Sequence, residues 1–277
     1  MDSLPRSLLF MDMQRPFLSV VVPAYNEARR LPNNLRKILE FLRGQSYSYE
    51  VLVVDDGSTD ETVAQCQQVA VGDPRVRVIE NPHYGKGYTV RTGMLEARGE
   101  IVLFTDADLS VPIDDINTLL PFFQQGYQVV FGSREGGGSH QRVGEPLIRH
   151  IMGRVFNTLV QLLAVRGVQD TQCGFKAMTY EATQDLFPRL LIHDGSQGPI
   201  TVPMVTGFDV ELLFLANKLG YKLKEVPVTW FYGKETKVNN VRDSYLLFKD
   251  VMTVRWNDMR GRYEPPKDTA IQRESNT

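Results

Sequence analysis

The sequence has few of the residues that build disulfide frameworks or zinc sites. Its 277 residues include two cysteines, Cys66 and Cys173, and neither stands in a CxxC spacing. This excludes a cysteine-based zinc site and a disulfide-rich secreted domain, and it favours reduced thiols in a cytosolic setting. The histidines share no regular spacing, so we interpret them as loop or surface residues and not as zinc ligands. They are His83, His140, His150 and His193.

Long apolar runs and an excess of one charge are also missing. No apolar run approaches the roughly 18–20 residues that a membrane-spanning helix needs, and the stretch 7–11 is too weak for a signal peptide. The 31 Lys and Arg nearly balance the 33 Asp and Glu, which gives no reason to expect nucleic-acid binding. We therefore predict a cytoplasmic protein without a transmembrane segment, and leave room for a peripheral position on the inner face of a membrane.

The sequence does have a regular alternation of short β-rich runs with helical patterns. Strands are predicted over 17–22, 50–54, 75–79, 101–104 and 128–131, and helices over 33–42, 62–69, 86–97 and 113–123. This alternation predicts βαβ units, and so an α/β fold with a mostly parallel sheet flanked by helices. Farther along, helices are predicted over 146–165, 208–219 and 244–256, and a strand over 223–228.

The chain shows no linker that would divide it into two folding units. We interpret residues 17–262 as one domain, residues 1–16 as an N-terminal extension, and residues 263–277 as a polar, disordered tail. The loop that contains Asp170 and ends at Phe175 is predicted to be irregular.

Polar clusters follow three of the predicted strands. Asn26 and Glu27 come after the first, Asp55 and Asp56 after the second, and the segment 106–108 after the fourth. Ligands of open parallel sheets gather outside the carboxyl ends of the strands. We therefore predict a binding site built from these three separated segments.

The pair Asp106 and Asp108 is the sharpest of these features. Carboxylates at positions i and i+2 point the same way if the chain is still extended, so both could approach one hard cation. Mg²⁺ and Mn²⁺ bind through one or two carboxylates together with substrate phosphates. Such an ion would neutralise the charge on a departing diphosphate. The alternative for the same residues is a solvated acidic turn that caps the next helix.

Six motifs together resemble a known family. The segments 21–27 (VVPAYNE), 53–60 (VVDDGSTD) and 105–108 (TDAD) resemble the three signatures of family-two glycosyltransferases with the GT-A, Rossmann-like fold. The segments 132–134 (GSR), 170–176 (DTQCGFK) and 208–213 (FDVELL) resemble the dolichyl-phosphate β-glucosyltransferase branch, whose acceptors are polyprenyl phosphates. These motifs lie in the family's order between about residues 18 and 250.

This resemblance implies a set of residues that bind a nucleotide-sugar donor. They are Pro23, Tyr25, Glu27, Asp56, Lys86, Asp106 and Lys237. Asp56 would bind the uracil or ribose, Asp106 would contact the sugar or ribose, and Lys237 would help to bind the diphosphate. Asp108 would ligate the metal cofactor, Mg²⁺ or Mn²⁺.

The resemblance also implies an acceptor side and a catalytic set of Asp106, Asp108 and Asp170. Arg134 and Arg149 would grip the acceptor phosphate, for which a guanidinium fork is well suited because it stays charged and donates bidentately. Arg149 could equally be a surface residue of its helix. Asp170 has two possible roles: a general base if the acceptor is a sugar hydroxyl, or an orienting group if it is a lipid phosphate that is already anionic.

The function implied is inverting transfer of a hexose, with glucose from UDP-glucose as the first choice, to a polyprenyl phosphate at a membrane surface. GDP-mannose as donor and a soluble sugar or alcohol as acceptor stay open, as does the oligomeric state. A catalytically inactive nucleotide-sugar-binding module is disfavoured because Asp106, Asp108, Arg134 and Asp170 are all present. A nucleotidyltransferase would be expected to carry a Gly-rich, basic loop where this chain has residues 23–27.

Two later segments bear on the acceptor. The connection 192–206 is longer than its counterpart in the family usually is. Between residues 218 and 262, ten Lys or Arg stand against five acids, and the final predicted helix carries Leu246, Leu247, Val251 and Val254. A basic amphipathic helix of this kind either lies on anionic lipid or packs on the core with a solvated basic face.

Overall fold

The computed structural model describes residues 15–135, 142–143, 167–196, 198–200, 207–231 and 240–264. The predictions for residues 1–14, for a helix over 146–165 and for a disordered tail after residue 264 fall outside these residues. The extent of the single domain and of its two terminal segments therefore stays a prediction.

A seven-stranded sheet forms the centre of the described structure. Its strands are β1 (Leu18–Ala24), β2 (Tyr49–Asp55), β3 (Val76–Glu80), β4 (Ile101–Thr105), β5 (Val129–Ser133), β7 (Phe175–Thr179) and β8 (Leu223–Pro227), in the order β3-β2-β1-β4-β7-β5-β8. Six strands run in one direction and β7 runs against them. The predicted mostly parallel sheet is confirmed. A separate parallel pair consists of β6 (Arg142–Val143) and β9 (Trp230–Phe231).

Helices cover both faces of this sheet. They are α1 (Leu31–Arg43), α2 (Thr62–Ala70), α3 (Lys86–Glu96), α4 (Ile116–Gln124), α5 (Tyr180–Leu186), α6 (Phe208–Lys218) and α7 (Asn240–Met259), with a 3₁₀ turn over Ile113–Asp115 before α4. Buried residues of α1, α2 and α4 form one hydrophobic core with the sheet. Those of α3, α5, α6 and α7 form the other. The α/β prediction is confirmed as three layers.

Local sequence accounts for most of these elements. All residues of β1 and β2 are buried, as expected for strands covered on both faces. Helix α1 buries Leu31, Leu35 and Ile38, whose spacing places them on one face, and Pro32 stands in its first turn, where a missing N–H costs nothing. The carboxylate of Asp60 accepts a hydrogen bond at 3.0 Å from the N–H of Thr62, the first residue of α2, and so joins the preceding turn to the helix.

Strand β7 corrects the sequence interpretation, which placed a loop up to Phe175 and no strand after it. The strand lies between β4 and β5 and is antiparallel to both, with Thr105 opposite Phe175 and Phe131 opposite Lys176. Lys176 interrupts the apolar pattern that would have predicted a central strand. Its side chain is fully buried, and its Nζ donates to Asp209 Oδ1 and to the Cys173 carbonyl, each at 2.6 Å.

The last helix settles one choice that the sequence left open. Leu247, Val251 and Val254 are 5%, 1% and 0% exposed and belong to the core. Of the two alternatives, membrane contact and core packing, core packing is therefore confirmed for three of the four apolar residues. The fourth, Leu246, is half-buried. None of the helices in the described ranges is long and apolar enough to cross a membrane.

The two carboxylates near the start of α6 bind different partners, because residues at positions i and i+2 lie on different faces of a helix. Asp209 pairs with Lys176. Glu211 accepts hydrogen bonds from the backbone N–H groups of Leu191 at 2.8 Å and Ile192 at 3.0 Å, and from the Tyr263 hydroxyl at 2.6 Å. Glu211 thus joins the segment after α5 to the end of the described chain.

We expect Glu211 to make stability fall as the pH rises from about 5 to 7.5. Burial raises the pKa of Glu211 to about 7, although the Tyr263 hydroxyl and the two backbone N–H groups act in the opposite direction. Between the unfolded and the folded pKa, only the folded state holds the proton, so raising the pH favours unfolding, by roughly 3 kcal/mol at most. Urea unfolding at a series of pH values measures the slope. The difference between wild type and Glu211→Gln isolates this group, and identical slopes would contradict its assignment.

Candidate functional site

The turns that follow β1 and β2 are joined by side-chain hydrogen bonds. The N–H of Asn26 donates to Ser58 Oγ at 2.8 Å, and the N–H of Thr59 donates to Asn26 Oδ1 at 2.9 Å. Asp55 accepts from the N–H of Ser58 at 2.7 Å, so its carboxylate holds the turn together. Its neighbour Asp56 accepts hydrogen bonds from the backbone N–H groups of Tyr84 at 2.9 Å and Gly85 at 3.0 Å, which ties the turn after β2 to the start of α3.

These turns form one wall of a pocket of about 240 Å³ at the carboxyl ends of β1, β2 and β4. Its lining residues are Pro23, Ala24, Tyr25, Glu27, Arg30, Asp56, His83, Gly85, Lys86, Thr89, Asp106, Ala107, Asp108 and Ile200. Six of the seven residues predicted to bind a donor lie here, together with the predicted metal ligand Asp108. The seventh, Lys237, lies outside the described residues.

Lys86 and Asp106 form an ion pair inside the pocket. The Nζ of Lys86 lies 2.5 Å from Asp106 Oδ1. Burial lowers the pKa of Lys86, but the carboxylates of Asp106 and Asp209 outweigh it, so the net pKa is raised and the ammonium is charged at neutral pH. The observed position of the Asp106 carboxylate leaves room only for glycine at position 174, because a Cβ there would lie 2.0 Å from Asp106 Oδ2. The motif 170–176 therefore makes room for the carboxylate of the motif 105–108.

The chain does not stay extended through Asp106 and Asp108. The expectation that both carboxylates point the same way holds only for an extended chain, so that geometry does not apply here. A turn begins at Asp106, whose carbonyl accepts from the N–H of Leu109 at 3.0 Å, and Leu109 has a φ of +51°. The turn still leaves both carboxylates in the lining of one pocket. Asp108 accepts from the N–H of Ser110 at 2.9 Å.

The carboxylates of the pocket suit a hard cation that takes its remaining ligands from water or from a bound substrate. Within the described ranges, no group of three or more His, Cys, Asp or Glu could hold a metal ion. Asp106 and Asp108 could supply two oxygen ligands. An Mg²⁺ or Mn²⁺ ion bound here would have to complete its shell with water and ligand oxygens, as Mg²⁺ usually does at phosphate sites.

His83 lies in the loop between β3 and α3, as predicted, and it also lines the pocket, which the sequence did not indicate. Its ring stacks on Tyr25 with centroids 4.0 Å apart and an angle of 5°. Its Nδ1 lies 2.8 Å from Asp56 Oδ2, and because a carboxylate only accepts, Nδ1 carries the hydrogen. The other ring nitrogen is buried without a hydrogen-bond partner. No spacing rule relates His83 to Tyr25, so sequence alone carried no signal for this contact.

A second cation of the pocket was also missed. Arg30 donates from Nη2 to Glu27 Oε1 at 2.7 Å and from Nε to Glu27 Oε2. The pair lies one turn apart at the start of α1, which an i, i+3 salt-bridge pattern could have indicated. Arg30 adds positive charge beside the predicted nucleotide ligand Glu27.

Arg134 and Asp170 meet at the end of β5, outside the lining of the pocket. Nε and Nη2 of Arg134 donate to the two oxygens of Asp170 at 2.7 and 2.8 Å, and the backbone N–H of Arg134 donates at 2.9 Å. Asp170 is 3% exposed. Burial raises the pKa of Asp170, but the charge and hydrogen bonds of Arg134 outweigh it and hold that pKa well below its usual range. The Asp170 carboxylate is thus ionised, and both of its oxygens accept hydrogen bonds from Arg134. Arg149 lies outside the described residues.

Comparison with known proteins gives a family and a fold. The sequence model of glycosyl transferase family 2 matches residues 19–187. The dolichyl-phosphate β-glucosyltransferase of Dictyostelium discoideum is 33% identical to this chain, over 88% of the chain and 76% of that protein. The enzyme of the same name from Drosophila melanogaster is 39% identical, over 77% of the chain and 66% of that protein.

Solved structures are similar in fold and distant in sequence. Glucosyl-3-phosphoglycerate synthase of Mycobacterium tuberculosis, crystallised with Mn²⁺, UDP and glucosyl-3-phosphoglycerate, has a TM-score of 0.61 and 18% identity. The match covers 88% of this chain and 81% of that one. At this identity, the likeness supports the GT-A architecture alone.

Proposed function

Because the chain belongs to glycosyl transferase family 2 and to its dolichyl-phosphate β-glucosyltransferase branch, we propose that it transfers glucose from UDP-glucose to a polyprenyl phosphate with inversion at the anomeric carbon. The observation that carries the proposal is one pocket at the ends of three strands, which gathers an aromatic pair, two cations and four carboxylates. These groups match, in order, the base, the diphosphate and the metal of a nucleotide-sugar donor.

The donor's base would bind among Tyr25, His83 and Asp56, which already form a stacked and hydrogen-bonded group. The diphosphate would lie toward Lys86, whose raised pKa keeps its ammonium charged. Arg30 is a second cation in the same lining.

Asp108 and Asp106 are the residues that would hold Mg²⁺ or Mn²⁺, and the ion would neutralise charge on the leaving diphosphate. Asp106 is the lesser ligand of the two in this proposal, because Lys86 already occupies one of its oxygens. Through the same contact, Lys86 would hold the carboxylate of Asp106 toward the sugar of the donor. The positive charge of Lys86 would at the same time face the donor's phosphates.

The acceptor phosphate would bind at Arg134. Asp170 fixes the guanidinium by two parallel hydrogen bonds and a third to the backbone, so Asp170 acts as an orienting residue. A carboxylate with a strongly lowered pKa is a weak proton acceptor, and an anionic phosphate needs no general base. One phosphate oxygen attacks the anomeric carbon as the bond to UDP breaks, giving the polyprenyl-phosphate sugar and UDP. A lipid acceptor implies a peripheral protein at the cytoplasmic face of a membrane.

Transfer assays test this function. Purified protein with Mn²⁺ or Mg²⁺ is offered UDP-glucose or GDP-mannose, each with and without farnesyl phosphate as a short acceptor. We expect nucleotide release to require both UDP-glucose and the lipid phosphate, and the product to carry a β-linkage by NMR. Arg134→Lys keeps the charge and loses the fork, so the KM for the lipid phosphate should rise about tenfold or more while that for UDP-glucose changes little.

Arg36→Lys is the matched control, since Arg36 lies exposed on α1. Turnover with GDP-mannose but not with UDP-glucose would refute UDP-glucose as the donor. Turnover with a soluble sugar but not with the lipid phosphate would refute a polyprenyl phosphate as the acceptor. A failure to bind any nucleotide sugar would refute the proposal as a whole.

A further inference from the structure

Helix α7 carries an exposed row of large apolar side chains, which we call the outer stripe. Its members are Tyr245 (67% exposed), Phe248 (42%), Met252 (45%), Trp256 (52%) and Met259 (75%). Their spacings of three and four residues place all five within about 80° of the helix circumference, at 100° per residue. The stripe faces away from Leu247, Val251 and Val254, which pack into the core. Helix α7 therefore has two apolar faces, and within the described part of the chain only one of them is covered.

Charges along α7 are sorted by sign. Lys249 and Arg260 flank the outer stripe on one side and Arg255 flanks it on the other, at the angles that 100° per residue gives. The acids are turned toward protein partners: Asp250 binds the His193 ring at 2.9 Å, and Asp258 binds Lys218 at 2.6 Å and also pairs with Arg255 at 3.3 Å. Lys249 and Arg260 are therefore the cations on which the argument for anionic lipid rests. The surface around the stripe thus presents cations and few free anions.

This combination favours a lipid surface with negative charge. Helices that lie in the membrane interface bury an apolar stripe to a depth of about 5–10 Å and place Lys and Arg beside it, facing the headgroups. Tyr and Trp favour the same depth because each has an apolar body and a polar group. Arg260 lies over the ring of Trp256, 4.4 Å from its centroid, so this cation is held beside the stripe.

A second copy of the chain fits the stripe less well. The stripe runs about 21 Å from Tyr245 to Met259, at 1.5 Å per residue, and it is one side chain to two side chains wide. A standard protein interface engages about 20–30 residues on each partner. Like-charged rows on both sides would also repel each other across a two-fold axis, whereas anionic lipid attracts them.

We propose that the outer stripe of α7 binds the surface of an anionic bilayer. The inference deepens the proposed function and rests on it. A polyprenyl phosphate resides in a membrane, and the outer stripe would keep the enzyme at that membrane. The inference is also independent of Leu246, Leu247, Val251 and Val254, the residues that the sequence suggested for this task.

Vesicle binding by the full chain tests the proposal. We expect cosedimentation with phosphatidylcholine vesicles that contain 30 mol% phosphatidylglycerol, a fall in binding at high salt, and quenching of Trp fluorescence by brominated lipid. The variant Phe248→Gln/Met252→Gln/Trp256→Gln should lose binding about tenfold or more. Lys249→Glu/Arg260→Glu should lose binding to anionic vesicles to a similar extent. Val71→Gln is the matched control, since Val71 is 79% exposed and lies at the end of α2.

Two further measurements separate the possible failures. Circular dichroism establishes that each variant is folded, and transfer to farnesyl phosphate in solution reports the active site without a membrane. Vesicle binding without any transfer would refute the proposed function and keep the inference. Transfer with no binding by wild type, or with equal binding by all variants, would overturn the inference. So would a dimer by light scattering that the stripe variant converts to a monomer.

Discussion

Asp108→Asn is expected to lower the kcat for sugar transfer by about 10²–10³-fold, the loss typical when one electrostatic contact to a developing charge is removed. Asp108 and Asp106 are the acidic side chains at the end of β4 that line the pocket, and Asp106 already pairs with Lys86. Asparagine keeps the size of the side chain and removes the charge that a divalent ion requires. The fold should be unaffected, since Asp108 is half-exposed.

Two readouts distinguish loss of the ion from a general defect. Calorimetry should show that Mn²⁺ strengthens UDP binding to the wild type and has little effect on the variant. Asp114→Asn is the matched control, because Asp114 is exposed six residues farther along and lies outside the pocket lining. Equal activity of wild type and Asp108→Asn across a range of Mn²⁺ concentrations would remove Asp108 from the proposed metal site.

Asp209→Ala should destabilise the protein by about 3–5 kcal/mol, the usual cost of leaving one member of a buried ion pair without its partner. Lys176 is fully buried on the central strand β7, and Asp209 Oδ1 lies 2.6 Å from its Nζ. The Cys173 carbonyl, also 2.6 Å away, would be the remaining described hydrogen-bond acceptor of the Lys176 ammonium. An uncompensated ammonium in the core should shift the urea midpoint and lower the Tm by about 10 °C.

The double variant Lys176→Met/Asp209→Leu separates the cost of the unpaired charge from the value of the pair itself. Replacing both members with apolar side chains of similar size should recover much of the stability lost in Asp209→Ala. Equal destabilisation in the single and double variants would show that the pair is itself stabilising. No destabilisation in Asp209→Ala would mean that Lys176 loses its proton or finds another partner.

The alternation of strands and helices between residues 17 and 131 was predicted from sequence to within a few residues at most boundaries. These elements follow from local patterns: apolar runs for strands buried on both faces, and apolar residues three and four apart for helices. The grouping of polar residues at the carboxyl ends of β1, β2 and β4 also followed, because a parallel sheet brings those ends to one edge. Fold class, family and most of the pocket were therefore accessible without coordinates.

Most of the contacts that the sequence did not predict join residues that are far apart in the chain, and the exception is the pair of Glu27 and Arg30. Lys176 looked unsuited to a central strand until Asp209, 33 residues later, supplied its counter-charge. His83 stacks on Tyr25, 58 positions earlier. Gly174 is needed because Asp106 comes to lie against it. No periodicity links such pairs, so only the packing of separate segments decides them.

The sequence by itself determined that the last helix would carry apolar residues at helical spacing, and that basic residues outnumber acids over the wider stretch 218–262. Only the tertiary structure decided which side of the helix is covered. Apolar residues point both ways from α7, and a helical pattern cannot distinguish a face that packs on a core from one that meets another surface. Burial of Val251 and Val254 against the sheet leaves Phe248, Met252 and Trp256 outside. That division depends on where α6 and the sheet lie, which is a property of the folded chain.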